Sequence, residues 1–288
     1  MRRIRPVILL LVVAAPGVSL RAGQTPTFAA RTHAVRVDVL VTQNGRPVAG
    51  LDADDFEIRD NGVRQRIDLV SFERIPLNLI LALDVSASVS GERLTHLRQA
   101  AAAVLRDLRP ADQAALVTFG DAVVIHGSLT HGFAAIETAL ARARPGGRTA
   151  LLDAIYAAVV VGEADAGRAL VVVFSDGVDT ASWLTSSQFL RTAQRSDAVI
   201  YGVTARGATT LLRDLAHATG GNVLDVASTA DLQATFRTVL DEFRHRYLVS
   251  YTPTGVSSTG WHALAVKVKQ RANGVLVKAR PGYLGDGR

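Results

Sequence analysis

The sequence predicts an α/β fold: a doubly wound, mostly parallel sheet inserted in a small all-β sandwich built from the two ends of the chain. Three observations carry this. Between residues 76 and 246, short continuous apolar runs alternate with segments of helical period, the rhythm of a parallel sheet with helices on both faces. Residues 33 to 74 alternate with period two and contain no helical stretch, and the period-two rhythm returns past Arg246. Neither end alone has enough strands for independent stability, so the two are expected to pair in space around the inserted α/β domain.

In chain order, Val35, Val37, Val39 and Val41 point one way and Arg36, Asp38 and Leu40 the other, and Asn44-Gly45 reads as a tight turn. Phe56 to Ile58 runs into Asp60-Asn61-Gly62, a strong hairpin signal, with Ile67, Leu69 and Phe72 expected on the return strand. Leu77 to Leu83 is an uninterrupted apolar run, as expected of a central strand buried on both faces. Leu94, Leu97, Ala101, Val104 and Leu108 recur at helical spacing, and Arg109-Pro110 stops that helix. Leu116 to Phe119 and Val123 to Ile125 form a short hairpin-like pair. Helices are expected around Phe133 to Leu140 and Leu151 to Val161, then a buried strand over Leu170 to Phe174 and a short helix over Ser187 to Ala193. A strand at Val199 to Val203, a helix at Leu211 to Ala216, a strand at Val223 to Val226 and a helix lined by Leu232, Phe236, Leu240 and Phe243 complete the domain. Tyr247, Val249 and Tyr251, then Leu264, Val266 and Val268, then Val275 to Val277 restore the β pattern.

The chain has 288 residues, with 48% hydrophobic and 20% charged, a composition that excludes a disordered tail and allows a full core. It has no Cys, which rules out disulfides, thiolate zinc sites and a cysteine nucleophile. The formal charge of +6 invites a nucleic-acid reading that its placement removes. Arg2, Arg3 and Arg5 precede the apolar run Val7 to Ala15, with small and polar residues around Leu20-Arg21-Ala22, the three-part pattern of a secretory signal peptide. Taking away residues 1–22 removes four Arg and no acid, leaving +2, and the remaining basic residues are scattered. The expected layout is a signal peptide over residues 1–22, an N-terminal β segment over 23–75, the α/β domain over 76–246 and a C-terminal β segment over 247–288. The protein is expected to be exported, periplasmic or secreted, with no membrane span in the mature chain and no nucleic-acid partner.

The residues that carry chemistry sit where open α/β sheets place their ligands, at the carboxyl ends of the parallel strands. The first central strand ends in Asp84-Val85-Ser86-Ala87-Ser88, a later one in Ser175-Asp176-Gly177, and between them Gly146-Gly147-Arg148-Thr149 presents a hydroxyl at the start of a helix. Hard oxygen donors with few carboxylates suit a magnesium-type cation that keeps room for an outside ligand. The seven His read as scattered surface residues. Taken singly, Asp84 reads as a helix cap, Ser86 and Ser88 as turn hydroxyls, and Asp176-Gly177 as a turn; together at matching strand ends they read as a site. Asp179 reads as a support for that site or as a solvated turn acid.

Asp84-x-Ser86-x-Ser88, then Thr149, then Asp176 resembles the metal-ion-dependent adhesion site of von Willebrand factor type A domains, over about residues 76 to 246. The resemblance implies a Mg²⁺ or Mn²⁺ ion held by Ser86, Ser88 and Thr149, with Asp84 and Asp176 acting directly or through water, and an acidic residue of a protein partner completing the coordination. The flanks Gly45-x-Pro47-Val48-x-Gly50-Leu51, Asp55-Phe56, Tyr247-x-x-x-Tyr251-x-Pro253 and Arg280-Pro281-Gly282-Tyr283 resemble a bacterial group of exported von Willebrand factor type A-related proteins. The expected function is a non-enzymatic, metal-dependent protein-binding module. Two alternatives stand beside it. One is a Mg²⁺-dependent phosphohydrolase, against which stand Ser86 where a second early carboxylate would help and the restriction of Lys to positions 267, 269 and 278. The other is a structural ion, with binding through a sandwich face around Tyr251, Trp261 and Tyr283.

Overall fold

The computed structural model describes residues 34–72, 75–205, 207, 209–269 and 274–287; the expected signal peptide lies outside them. The first strand, β1 (Val35–Gln43), turns Val35, Val37, Val39 and Val41 into a core, as its alternation requires. Asn44 and Gly45 adopt φ of 51° and 76°, the doubly left-handed turn that suits hairpins, and lead into β2 (Arg46–Pro47). A second Asn-Gly turn, Asn61-Gly62, also with both φ positive, joins β3 (Phe56–Asp60) to β4 (Val63–Gln65). The return strand of this hairpin is therefore β4, and β5 (Ile67–Phe72), expected in that role, lies in another sheet. The buried Gln65 side chain is the cause. It donates to the Thr254 carbonyl at 3.0 Å and accepts the Thr254 N–H at 2.9 Å, ending the ladder so that the chain crosses over at Arg66.

The α/β unit comprises β6 (Leu77–Asp84), α1 (Glu92–Arg106), β7 (Gln113–Phe119), β8 (Val123–Ile125), α2 (Ala134–Arg142), α3 (Leu151–Gly162), β9 (Arg168–Phe174), α4 (Ser186–Arg195), β10 (Val199–Thr204), α5 (Thr210–Ala218), β11 (Val223–Asp225) and α6 (Leu232–Arg244). Its sheet runs β11-β10-β9-β6-β7-β8, parallel except for β8, which pairs antiparallel with β7. Every residue of β6 is buried because the strand has no solvent face. Leu79, Leu81 and Leu83 pack with Leu97, Val104 and Phe236 of α1 and α6, while Ile80 and Ala82 pack with Ile155, Phe189 and Leu215 of α3, α4 and α5. Successive connections leave β6 in opposite directions, to β7 on one side and eventually β9 on the other. That reversal opens a crevice at the carboxyl ends of β6 and β9.

The chain then returns through β12 (Arg246–Tyr251), β13 (Thr259–Val268), β14 (Val275–Lys278) and β15 (Gly282–Asp286); the last strand was not evident from the sequence pattern. Two antiparallel sheets result, β14-β1-β12-β5 with β2 beside β1, and β15-β13-β3-β4. They share a core of Val37, Val39, Phe56, Ile58, Tyr247 and Val249, with Leu264 and Val266 packed against it. Each sheet thus mixes strands from both ends of the chain. The sandwich also encloses a polar knot. The fully buried Asp60 accepts from the Tyr251 and Tyr283 hydroxyls, each at 2.9 Å, and its other oxygen lies 2.8 Å from His262 Nδ1. The face imagined around Tyr251, Trp261 and Tyr283 therefore turns both of its tyrosine hydroxyls inward.

The sandwich meets the α/β unit at the amino ends of the parallel strands. Arg168, at the start of β9, is ion-paired with Asp38 of β1 and donates from Nε to Asp38 Oδ1 at 2.8 Å. Arg280 donates to the carbonyls of Ser196, just before β10, and of Arg36. The fully buried Arg246 donates to the Tyr201 hydroxyl at 2.7 Å, which in turn donates to Glu242. Burial pushes the Tyr201 hydroxyl well above its ordinary pKa, so it stays a donor. Replacing Tyr251 by Phe removes one of the donors that hold the buried Asp60 carboxylate. We expect Tyr251→Phe to lower stability by about 1–3 kcal/mol, read as an earlier urea midpoint; an unchanged midpoint would show that the knot contributes nothing.

Candidate metal centre

The centre is built from three loops at the carboxyl edge of the sheet. The first leaves β6 at Asp84, which is fully buried. Its Oδ1 accepts the Ser86 N–H at 2.7 Å and its Oδ2 the Ser175 hydroxyl at 2.7 Å, so both oxygens are engaged from two separate loops. Ser86 Oγ lies 3.1 Å from Ser88 Oγ, and Ser88 Oγ donates to Asp176 Oδ1 at 2.5 Å. The second loop carries Thr149. It is sewn to the first by Ala87 N–H to the Gly147 carbonyl (3.1 Å) and Gly146 N–H to the Val85 carbonyl (2.9 Å). Glycine is required at 147, where φ is +72° and a Cβ would stand 2.1 Å from Asp121 Oδ2; the other oxygen of that carboxylate accepts the Arg148 N–H at 2.8 Å.

The third loop, after β9, carries Asp176. It is tied to the start of α3 by the Thr180 and Ala181 N–H groups on the Thr149 carbonyl (2.9 and 3.1 Å) and by the Thr149 N–H on Thr180 Oγ1 (3.1 Å). Asp179 accepts from the N–H groups of Leu151 and Ser182 (3.1 and 3.3 Å), and Asp153 from those of Trp183 and Leu184 (2.9 and 3.0 Å). A Cβ at Gly177 would stand 3.6 Å from Thr149 Oγ1, which places that hydroxyl beside the Asp176-Gly177 turn. The structure thus brings Asp84, Ser86, Ser88, Thr149 and Asp176 to one place. Asp179 is here a backbone-holding residue of the third loop. Sequence reasoning overlooked Ser175 and Arg93: Arg93 Nη1 lies 2.9 Å from Asp176 Oδ2 and donates to the Ser88 carbonyl at 3.1 Å.

Electrostatically the centre is a pair of carboxylates, Asp84 and Asp176, held out of solvent. Burial pushes the Asp84 carboxyl above the usual carboxylate range, with the Ser86 and Ser175 hydrogen bonds opposing that shift and the Asp176 charge adding to it. A cation bound here would offset the desolvation of both carboxylates. The donor set is two carboxylates and three hydroxyls, all oxygen, which fits a hard divalent ion. Among the described residues no three His, Cys, Asp or Glu side chains cluster as a metal site, so hydroxyls must supply much of any coordination.

Residues 79–178 match the family model of the von Willebrand factor type A domain. The α/β unit has the von Willebrand factor type A fold. The solved structure of a von Willebrand factor type A protein from Catenulispora acidiphila is similar over 90% of this chain and 75% of its own, at 13% identity and a TM-score of 0.52. Proximal thread matrix protein 1 of the mussel byssus, solved with a zinc-occupied metal-ion-dependent adhesion site, is similar over 64% of this chain at 16% identity and a TM-score of 0.54. The alignment spans 49% of the mussel protein's length. No curated protein matches the chain. Within the α/β unit, the third loop is held by Asp179. We expect Asp179→Ala to lower stability by about 1 kcal/mol, as for loss of a helix cap, and to speed proteolytic cleavage between residues 177 and 185; unaltered cleavage would show that the other bonds suffice.

Proposed function

We propose that this protein is an exported, metal-dependent protein-binding module whose site is formed by Asp84, Ser86, Ser88, Thr149 and Asp176. The observation that carries the reading is the unbroken chain of hydrogen bonds from Asp84 through Ser86 and Ser88 to Asp176, with the Thr149 hydroxyl beside it. Both Asp84 oxygens already accept hydrogen bonds, and so do both oxygens of Asp176. The carboxylates therefore orient the hydroxyls and supply charge from behind them. Ser86, Ser88 and Thr149 would hold the ion through neutral oxygens, with the carboxylate charges one hydrogen bond behind them. Mg²⁺ or Mn²⁺ suits such a set, and when bound it supplies an electropositive point that draws an acidic group.

The partner that this chemistry recognises is a protein offering an Asp or Glu carboxylate. The metal-occupied adhesion site of the mussel protein supports divalent-ion binding by this fold. Export rests on the basic and apolar pattern of residues 1–22, and no helix among the described residues is long and apolar enough to cross a membrane. The layout that follows is a signal peptide to residue 22, β segments over 23–75 and 247–288, and the binding domain over 76–246. The reading is non-enzymatic: the carboxylates that could serve as bases are engaged in orienting the hydroxyls of the site itself.

Calorimetry with Mg²⁺ and Mn²⁺ tests the site. Wild type is expected to bind one ion and to gain about 2.7 kcal/mol of stability at a hundredfold excess over Kd. Asp84→Asn should abolish both effects while keeping the circular-dichroism spectrum of the fold. A folded wild type that binds neither ion would overturn the proposal. Turnover of phosphate esters that requires Mg²⁺ and Asp84 would replace it with the hydrolase reading.

A further inference from the structure

The five-residue pattern has no place for Arg93, yet the structure builds it into the centre. Arg93 is the second residue of α1, and 83 residues separate it from Asp176 in the chain. Its Nη1 reaches Asp176 Oδ2 at 2.9 Å while Ser88 Oγ takes Oδ1 at 2.5 Å. The Asp176 side chain is completely buried and that of Arg93 is 38% exposed, so the guanidinium closes the solvent side of the carboxylate. Its Nη1 also donates to the Ser88 carbonyl, which holds the cation against the loop that presents Ser86 and Ser88.

We propose that Arg93 is a built-in counter-cation that limits the centre's affinity for a divalent ion and leaves the loaded centre positively charged for an acidic ligand. The inference rests on the metal-centre reading above. Asp84 and Asp176 contribute two negative charges and Arg93 one positive charge, so the resting centre carries a net single negative charge. A divalent ion turns it into a net single positive charge. Without Arg93 the same ion would bring the centre to neutrality. Charges at short range around a buried carboxylate interact strongly, so the guanidinium repels the like-charged incoming ion and neutralises the carboxylate that would attract it. The surplus charge created on loading then draws a carboxylate from outside, and Arg93, being partly exposed, stands at that entrance. Metal affinity is thereby exchanged for ligand affinity, and ion and acidic partner become thermodynamically coupled.

Mn²⁺ titration by calorimetry on the full chain tests this with Arg93→Gln, which removes the charge and keeps a donor, and Arg93→Lys, which keeps the charge. Arg93→Gln is expected to bind Mn²⁺ about tenfold more tightly than wild type, and Arg93→Lys to stay within about twofold of it. Acetate, compared with chloride at the same ionic strength, should tighten Mn²⁺ binding to wild type and to Arg93→Lys more than to Arg93→Gln. Unchanged or weaker Mn²⁺ binding by Arg93→Gln, with an unchanged thermal midpoint, would overturn the proposal and reduce Arg93 to a residue that orients Asp176. A folded wild type that binds no Mn²⁺ would instead overturn the metal-centre reading beneath it.

Discussion

Tyr247 faces Phe72 across the antiparallel pair of β12 and β5, with their rings 4.7 Å apart. That pair closes the α/β unit, because Phe72 is where the chain leaves the sandwich and Tyr247 is where it has just come back. The residues between them can form a domain only if their two ends are held side by side, and a loop of that length carries a substantial closure entropy. The sandwich core offsets it by burying valines from one end of the chain against tyrosines from the other. Arg168 with Asp38, and Arg246 with Tyr201 and Glu242, then fix the junction with polar contacts in a place where water has been removed. A buried arginine is tolerable only with such partners.

The candidate metal centre follows from the same architecture at the other edge of the sheet. Because β6 is covered on both faces, the Asp84 carboxylate at its end emerges into a crevice already walled by β7 and β9. A carboxylate in that position needs donors, and Ser86 N–H and the Ser175 hydroxyl supply them from two loops at once. The hydrogen bonds through Ser86 and Ser88 to Asp176 extend this arrangement across the crevice. The result is a set of hydroxyl oxygens whose positions are dictated by charges behind them, which is how a protein prepares a hard-ion site with few formal charges of its own.

Much of this was legible in the sequence because it rests on short-range rules. Leu77 to Leu83 announces a strand without a solvent face, Asn44-Gly45 and Asn61-Gly62 announce left-handed turns, and Asp84, Ser86, Ser88, Thr149 and Asp176 fall at strand and helix ends where ligands collect. The parts that could not be read depend on long-range contacts. Whether Ile67 to Phe72 continues a hairpin or joins the opposite sheet is decided by Gln65 meeting Thr254, 189 residues away. The strand Gly282–Asp286 has two glycines among its five residues and no alternation of its own; pairing with Thr259 to Ala263 makes it a strand. Arg93 looks like an ordinary surface residue of a helix until Asp176 is brought beside it. Asp60 reads as a turn acid, and only the fold reveals three side chains converging on it.

The placement of the sandwich has a mechanical consequence. It grips the amino ends of the parallel strands, whereas the candidate metal centre lies at their carboxyl ends, about 25 Å away along β6. The two connections to the α/β unit enter the sandwich at Phe72 and Arg246, and β1 pairs with β12 so that Leu40 stands opposite Arg246 and Val35 opposite Tyr251. A pull between the metal centre and the chain ahead of Val35 therefore acts on opposite ends of two antiparallel neighbours. Such a force slides β1 along β12 instead of peeling it away. The six residue pairs between them would share such a load.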